Sequence, residues 1–145
     1  MCPRFFRYVS ILLVVACSCS ETSTTTSPES VIKKYERLVL EMKADSISQL
    51  FTIDAEVGHE DQPAVKGRDS IYSFLSSFKN VRVINNRDEI VSSSIRDDSA
   101  TVNGSYAQTV IVSGNDTVNV AGKFIATMVR QKNNWLISKM KTSSN

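Results

Sequence analysis

Between residues 31 and 42 apolar side chains recur at intervals of three and four, at Val31, Ile32, Tyr35, Leu38, Val39 and Met42, while Lys33, Lys34, Glu36, Arg37 and Glu41 fall outside that set. That interval is the signature of a helix packed by one side. Ser27-Pro28-Glu29 supplies its start, with serine as N-cap, proline at the first helical position and an acid where the helix dipole favours it. Ile47, Leu50 and Phe51 predict a shorter second helix over residues 46–51, capped by Asp45. Residues 53–57 read as a short strand, and residues 58–66, which include Pro63, as an irregular polar loop. Gly67-Arg68-Asp69 leads into a third helix with Ile71, Phe74, Leu75 and Phe78 inward.

After Lys79 the period shortens to two. Val81, Val83, Ile90, Val91 and Ile95 predict one long, bulged strand that ends at the turn cluster Arg96-Asp97-Asp98-Ser99. A second strand over residues 100–113 places Val102, Tyr106, Val110 and Val112 on one face and Thr101, Asn103, Ser105 and Thr109 on the other. Gly114-Asn115-Asp116 and Lys132-Asn133-Asn134 are further turns, so a third strand spans 117–130 and a fourth 135–142. Helices followed by an antiparallel meander make an α+β fold with helices on one face of a sheet.

The first residues follow different rules. Arg4 and Arg7 precede an apolar run over residues 9–16 broken only by Ser10, far shorter than the roughly 20 apolar residues of a membrane-spanning helix. The run has the length of a signal-peptide core. Val14-Val15-Ala16-Cys17 resembles the bacterial lipobox, in which an aliphatic and a small residue precede a cysteine that becomes lipidated. Cys17 fits that pattern better than Cys19, which has Ala16-Cys17-Ser18 before it. The expected organisation is a signal peptide at 1–16, a lipidated Cys17 with a polar tether to residue 28, one α+β domain at 29–142 and a tail at 143–145. Its expected place is the bacterial cell envelope, held to the membrane through the N-terminal lipid.

This organisation alters the reading of charge and thiols. The chain has 17 Lys and Arg against 15 Asp and Glu, and removal of Arg4 and Arg7 leaves the two signs equal. No Lys/Arg cluster then makes a footprint for nucleic acid, and Lys33-Lys34 reads as the solvated side of a helix. All three cysteines precede the domain, which excludes a disulfide or a cysteine-based zinc site within it. The chain has no phosphate-binding glycine loop, no serine elbow and no HExxH, so no metal and no cofactor is expected.

Val31-Ile32-Lys33-Lys34-Tyr35, Asp45 with Leu50-Phe51, Asp54-Ala55-Glu56-Val57, Gly67 with Ile71 and Phe74, and Trp135-Leu136-Ile137 occur in an order and at intervals that resemble the fold shared by nuclear transport factor 2, ketosteroid isomerase and SnoaL-like proteins. The resemblance implies a cone: a curved antiparallel sheet covered by three N-terminal helices, with a pocket at the wide end. It also implies roles. Tyr35 falls on the tyrosine that donates to a substrate carbonyl in ketosteroid isomerases, and His59 falls on or beside the position of the base. Where those enzymes have a protonated aspartic acid, Gly122 stands here.

The candidate catalytic residues are therefore His59 and Tyr35. Candidate ligand contacts are Tyr35, His59, Tyr106, Gln108, Phe124 and Trp135. Each has a plainer reading. His59 is the one histidine and the one side chain that ordinarily titrates near neutrality, but Gly58, Glu60, Asp61 and Gln62 make a solvated loop residue the simpler expectation. Tyr35 suits a helix core, Tyr106, Gln108 and Phe124 suit sheet packing, and Trp135 suits the sealed edge of a core. The leading expectation is an envelope lipoprotein whose pocket binds a small, partly apolar ligand or a partner protein without catalysis. The alternative is a proton-transfer enzyme, isomerase or hydrolase-like, using His59 and Tyr35. The resemblance further implies a homodimer through the open sheet face.

Overall fold

The computed structural model describes residues 26–145; the signal peptide, Cys17 and most of the tether lie outside them. Helix α1 (Pro28–Leu40) starts as its sequence requires: Ser27 Oγ accepts from the Ser30 amide at 3.1 Å while Ser30 Oγ accepts from the Ser27 amide at 3.0 Å. Its end is a reversal through Met42, at φ 54°, with the Met42 amide on the Val39 carbonyl and the Lys43 amide on that of Leu38. Those are the two bonds of a Schellman motif. They turn Met42 away from the apolar face on which its spacing had placed it.

Helix α2 (Ala44–Ser48) is shorter than the sequence suggested, and Asp45 stands in its first turn instead of capping it. Phe51 is not in this helix. It opens strand β1 (Phe51–His59), because the Ile137 amide donates to the Leu50 carbonyl at 2.8 Å and so draws the chain into extended pairing. Strand β2 (Val65–Lys66) folds back on β1 out of the expected loop, through Glu56 opposite Lys66 and Val57 opposite Val65. Helix α3 (Arg68–Ser76) buries only Ile71. Phe74 and Phe78, expected inward, stack edge to face at 5.0 Å on the surface.

Four long strands follow: β3 (Arg82–Arg96), β4 (Ser99–Val112), β5 (Asp116–Gln131) and β6 (Asn134–Ser144). The last carries the domain two residues past the predicted end, since Ser143 and Ser144 pair with Lys123 and Gly122. The sheet order is β2-β1-β6-β5-β4-β3, antiparallel except where β1 runs parallel to β6. Its core face carries Val102, Ala126, Met128, Trp135 and Ile137, which close on Ile32, Leu38, Ile47 and Phe51. Among the described residues no helix covers the other face, and Lys123, Ile125, Lys139 and Lys141 stand there exposed.

The free edge of β3 is covered by side chains of α1. Glu36 Oε1 accepts from the Asp88 amide at 3.1 Å, Lys33 Nζ donates to the Asp88 carbonyl at 2.7 Å, and the two side chains pair with each other at 3.0 Å. Asn86 Nδ2 adds a bond to the Glu36 carbonyl at 2.9 Å. An edge strand needs partners for such groups, so Lys33 is a clamp and not merely part of a solvated face.

Candidate functional site

Strand register arranges the core face in rows. Asn86, Gln108 and Val120 make one; Asp88, Tyr106, Gly122 and Ser144 the next; Ile90, Gly104, Phe124, Thr142 and His59 the third. Helix α1 crosses above them. Between helix and sheet is a partly open cavity of about 250 Å³, lined by Ile32, Tyr35, Val57, Asp88, Tyr106, Gln108, Val120, Phe124, Met140 and Thr142. It is smaller than the roughly 300–1,000 Å³ of sites for drug-sized molecules.

Two glycines shape its floor. A Cβ at Gly104 would run into the ring of Phe124, and one at Gly122 would lie 2.8 Å from the Tyr106 hydroxyl. Each aromatic ring thus lies over the glycine on the neighbouring strand, and both rings belong to the cavity. Tyr35, on α1, meets Phe51 edge to face at 6.2 Å and turns toward the same space. Burial, with the charge of Asp88 and then Tyr106 adding to it, pushes the Tyr35 hydroxyl up to about 12. It therefore keeps its proton and can donate.

Asp88 is the residue the sequence did not disclose. It is 6 % exposed, and its carboxyl is pushed up to about 6, first by burial and then by Glu36, with Lys33 opposing. The run Arg87-Asp88-Glu89 reads as solvated, and alternation counted from Val83 turns Asp88 outward. A bulge at Ile84 shifts that alternation by one, so that Asn86 and Asp88 face the core while Ile84 is half exposed. A second bulge at Val91 restores it.

Of the predicted site residues, the structure brings Tyr35, Tyr106, Gln108 and Phe124 together. His59 is not among the residues that line that cavity. It ends β1 in register with Thr142, its Nε2 is 3.3 Å from Ser144 Oγ, and it lines a larger cleft of about 840 Å³, with Glu56, Lys66, Lys123, Lys139 and Lys141, that meets the cavity at Phe124, Met140 and Thr142. Trp135 is also apart: it is buried at the start of β6, under the Arg130 guanidinium at 4.7 Å, and its amide donates to Thr26 Oγ1 at 3.2 Å. Among the described residues no three His, Cys, Asp or Glu side chains are grouped to hold a metal ion.

The SnoaL-like domain profile matches residues 29–141. No curated protein sequence matches the chain. Among solved structures, a ketosteroid isomerase-like protein from Erwinia carotovora atroseptica is similar at a TM-score of 0.73 and 18 % identity, over 80 % of this chain and 92 % of that one. A conserved protein from Planctomyces limnophilus gives 0.74 at 12 % identity, over 81 % and 92 %. An NTF2-like protein with a cystatin-like fold from Novosphingobium aromaticivorans gives 0.63 at 17 %, over 79 % and 77 %.

Proposed function

The chain belongs to the SnoaL-like domain family, and on that premise we propose that it is a lipid-anchored envelope protein whose inner cavity binds a small, partly apolar molecule without transforming it. The observation that carries this reading is the composition of the cavity. Ile32, Val57, Val120, Phe124 and Met140 give it apolar walls, and Tyr35, Asp88, Tyr106, Gln108 and Thr142 give it polar groups from several strands and one helix. Apolar walls with convergent polar groups that fix orientation are the elements of a small-molecule site, and here the two kinds of residue line the cavity in equal number. Of the proton-transfer pair expected from the sequence, Tyr35 lines this cavity, whereas His59 lines the adjoining cleft that meets it at Phe124, Met140 and Thr142.

The anchor reading rests on Val14-Val15-Ala16-Cys17, outside the described residues. The described chain starts at Thr26, bonded to Trp135 at the beginning of β6, whereas Met140 and Thr142 lie toward its end. At about 3.4 Å per residue the cavity is roughly 20 Å along the strand from the tether, so it is presented away from the anchored end.

A second reading has one specific observation in its favour. Asp88, with its carboxyl near 6, and Tyr35, with its hydroxyl near 12, share the cavity, which is a base and a hydrogen-bond donor for a carbonyl substrate. Native mass spectrometry of the full chain with a panel of small alcohols, ketones and amines tests the leading reading. At least one should be retained, and Val120→Phe, which fills the cavity from a half-exposed position, should abolish retention while leaving circular dichroism unchanged. Retention of none, or equal retention by Val120→Phe, would remove the binding reading. Conversion of a retained ketone, lost in Asp88→Asn, would favour the second.

A further inference from the structure

The cavity holds a carboxyl group, that of Asp88, to which no cation among the described residues is bonded. Asp88 pairs with Tyr106 across β3 and β4, and both its own amide and its carbonyl turn outward to Glu36 and Lys33. That makes it a non-hydrogen-bonded pair, the kind whose Cα atoms approach to about 4.5 Å, so the carboxyl stands beside the Tyr106 ring. Lys33 is the nearest cation, yet its ammonium is committed to the Asp88 backbone carbonyl at 2.7 Å and to Glu36 at 3.0 Å. Among the described residues no side chain donates a hydrogen bond to the Asp88 carboxyl. No Lys, Arg or His among the described residues lines the cavity.

The groups that face Asp88 from the packed elements are Lys33, Tyr35 and Glu36 on α1 and Tyr106 on β4. Glu36 adds negative potential, which raises the cost of an ionised Asp88 and the attraction for an incoming cation. A buried carboxylate without a partner is costly, and it takes up either a proton or a positive charge. The remaining walls suit the second outcome. Tyr35, Tyr106 and Phe124 present aromatic rings to the same space, and rings around a carboxylate are the environment that draws ammonium groups out of water, by cation–π attraction over the ring faces. Ile32, Val57, Val120 and Met140 offer the apolar surface for what the ammonium carries.

We propose that the ligand of the inner cavity is a small organic cation, an amine or quaternary ammonium with a short apolar group, whose nitrogen pairs with the Asp88 carboxylate among the rings of Tyr35, Tyr106 and Phe124. This rests on the ligand-binding reading given above and names the class of ligand. Protonation of Asp88 removes the pairing charge, so affinity for a cation falls as the pH is lowered through the upper end of the carboxylate range, while affinity for a neutral molecule of the same shape does not.

The test uses the full chain in detergent and two pairs of probes alike in shape: choline against 3,3-dimethylbutan-1-ol, and benzylamine against benzyl alcohol. At pH 7.5 calorimetry should give the cation of at least one pair a tenfold or greater advantage. Asp88→Asn should erase the advantage, and Glu36→Gln, which lies outside the cavity and keeps the oxygen that accepts from the Asp88 amide, should reduce it severalfold. At pH 5 the wild-type advantage should shrink. Neutral probes binding as tightly as the cations, or cation affinity unchanged in Asp88→Asn, overturns the cation assignment and leaves ligand binding standing. If none of the four binds but the wider panel yields only neutral ligands that Val120→Phe loses, the assignment again falls alone; if the panel yields nothing, both fall.

Discussion

Tyr106 and Gly122 face one another across β4 and β5, and the tyrosine hydroxyl occupies the space where a side chain at residue 122 would begin. The position that resembles the aspartic acid of ketosteroid isomerases is therefore filled from the next strand. A methyl group there would press on the Ser143 carbonyl as well as on Tyr106 Oη.

Gly122→Ala should accordingly destabilise the fold by about 1–3 kcal/mol, the range of overpacked cores, and should displace the Tyr106 ring from the cavity. Urea denaturation measures the first effect and the tyrosine ring resonances in an NMR spectrum report the second. A variant as stable as the wild type with its ring in place would show that the strands separate at no cost.

Met42 holds a left-handed backbone at φ 54° and is partly exposed. A side chain there costs about 1–2 kcal/mol that glycine avoids, against roughly 0.4–1 kcal/mol of added freedom in the unfolded chain. Met42→Gly should leave a net gain of about 0.5–1 kcal/mol in chemical denaturation, whereas Met42→Val should lose stability.

Asp88 gives stability a pH dependence of defined sign. Its carboxyl titrates at about 6 in the folded chain and at about 3.9 when unfolded, so the folded state holds the extra proton between those values. Its favourable contribution is complete below the lower value and is lost as the pH rises through the upper one. The two-unit displacement sets a ceiling of about 2.7 kcal/mol, and water in a partly open cavity screens it toward roughly 1–2 kcal/mol. The melting temperature of Asp88→Asn, minus that of the wild type, should therefore increase steadily from pH 4 to pH 7. Carboxylates remote from Asp88 cancel in the difference; a flat difference would show that Asp88 is solvated.

The anchor has its own test. Cys17→Ser should leave the protein unlipidated in a bacterial host, and Cys19→Ser should be processed as usual. Each acyl chain contributes about 0.8 kcal/mol per buried methylene, so only the first variant should be released in soluble form. Labelling with a clickable fatty acid reads this directly: label retained in Cys17→Ser, or absent from the wild type, removes the lipoprotein reading.

Much of the fold is local in origin, and so legible along the chain. Ser27 caps α1 because its neighbours alone supply the bonds, the meander of four strands follows from alternation and turn residues, and the three- and four-residue spacing in α1 selects Val31, Ile32 and Leu38 for burial. Tyr35, Tyr106, Gln108 and Phe124 could be gathered in advance because they lie on core faces whose periods are unbroken. Where a period breaks, sequence reading loses its place. One bulged residue at Ile84 inverted the faces of β3 and hid Asp88, and the Leu50–Ile137 bond, made across 87 positions of chain, drew Phe51 from a helix into a strand. His59 and Trp135 fell outside that set for the same kind of reason, since β1 ran two residues into the expected loop and β6 began at the end of the cone closed by Thr26. The sequence by itself determined the elements, their order and most of the core, because capping, turns and periodicity act over a few residues. Only the tertiary structure decided which polar groups share the cavity, because that depends on register, and one inserted residue moves every later side chain of a strand to its other face.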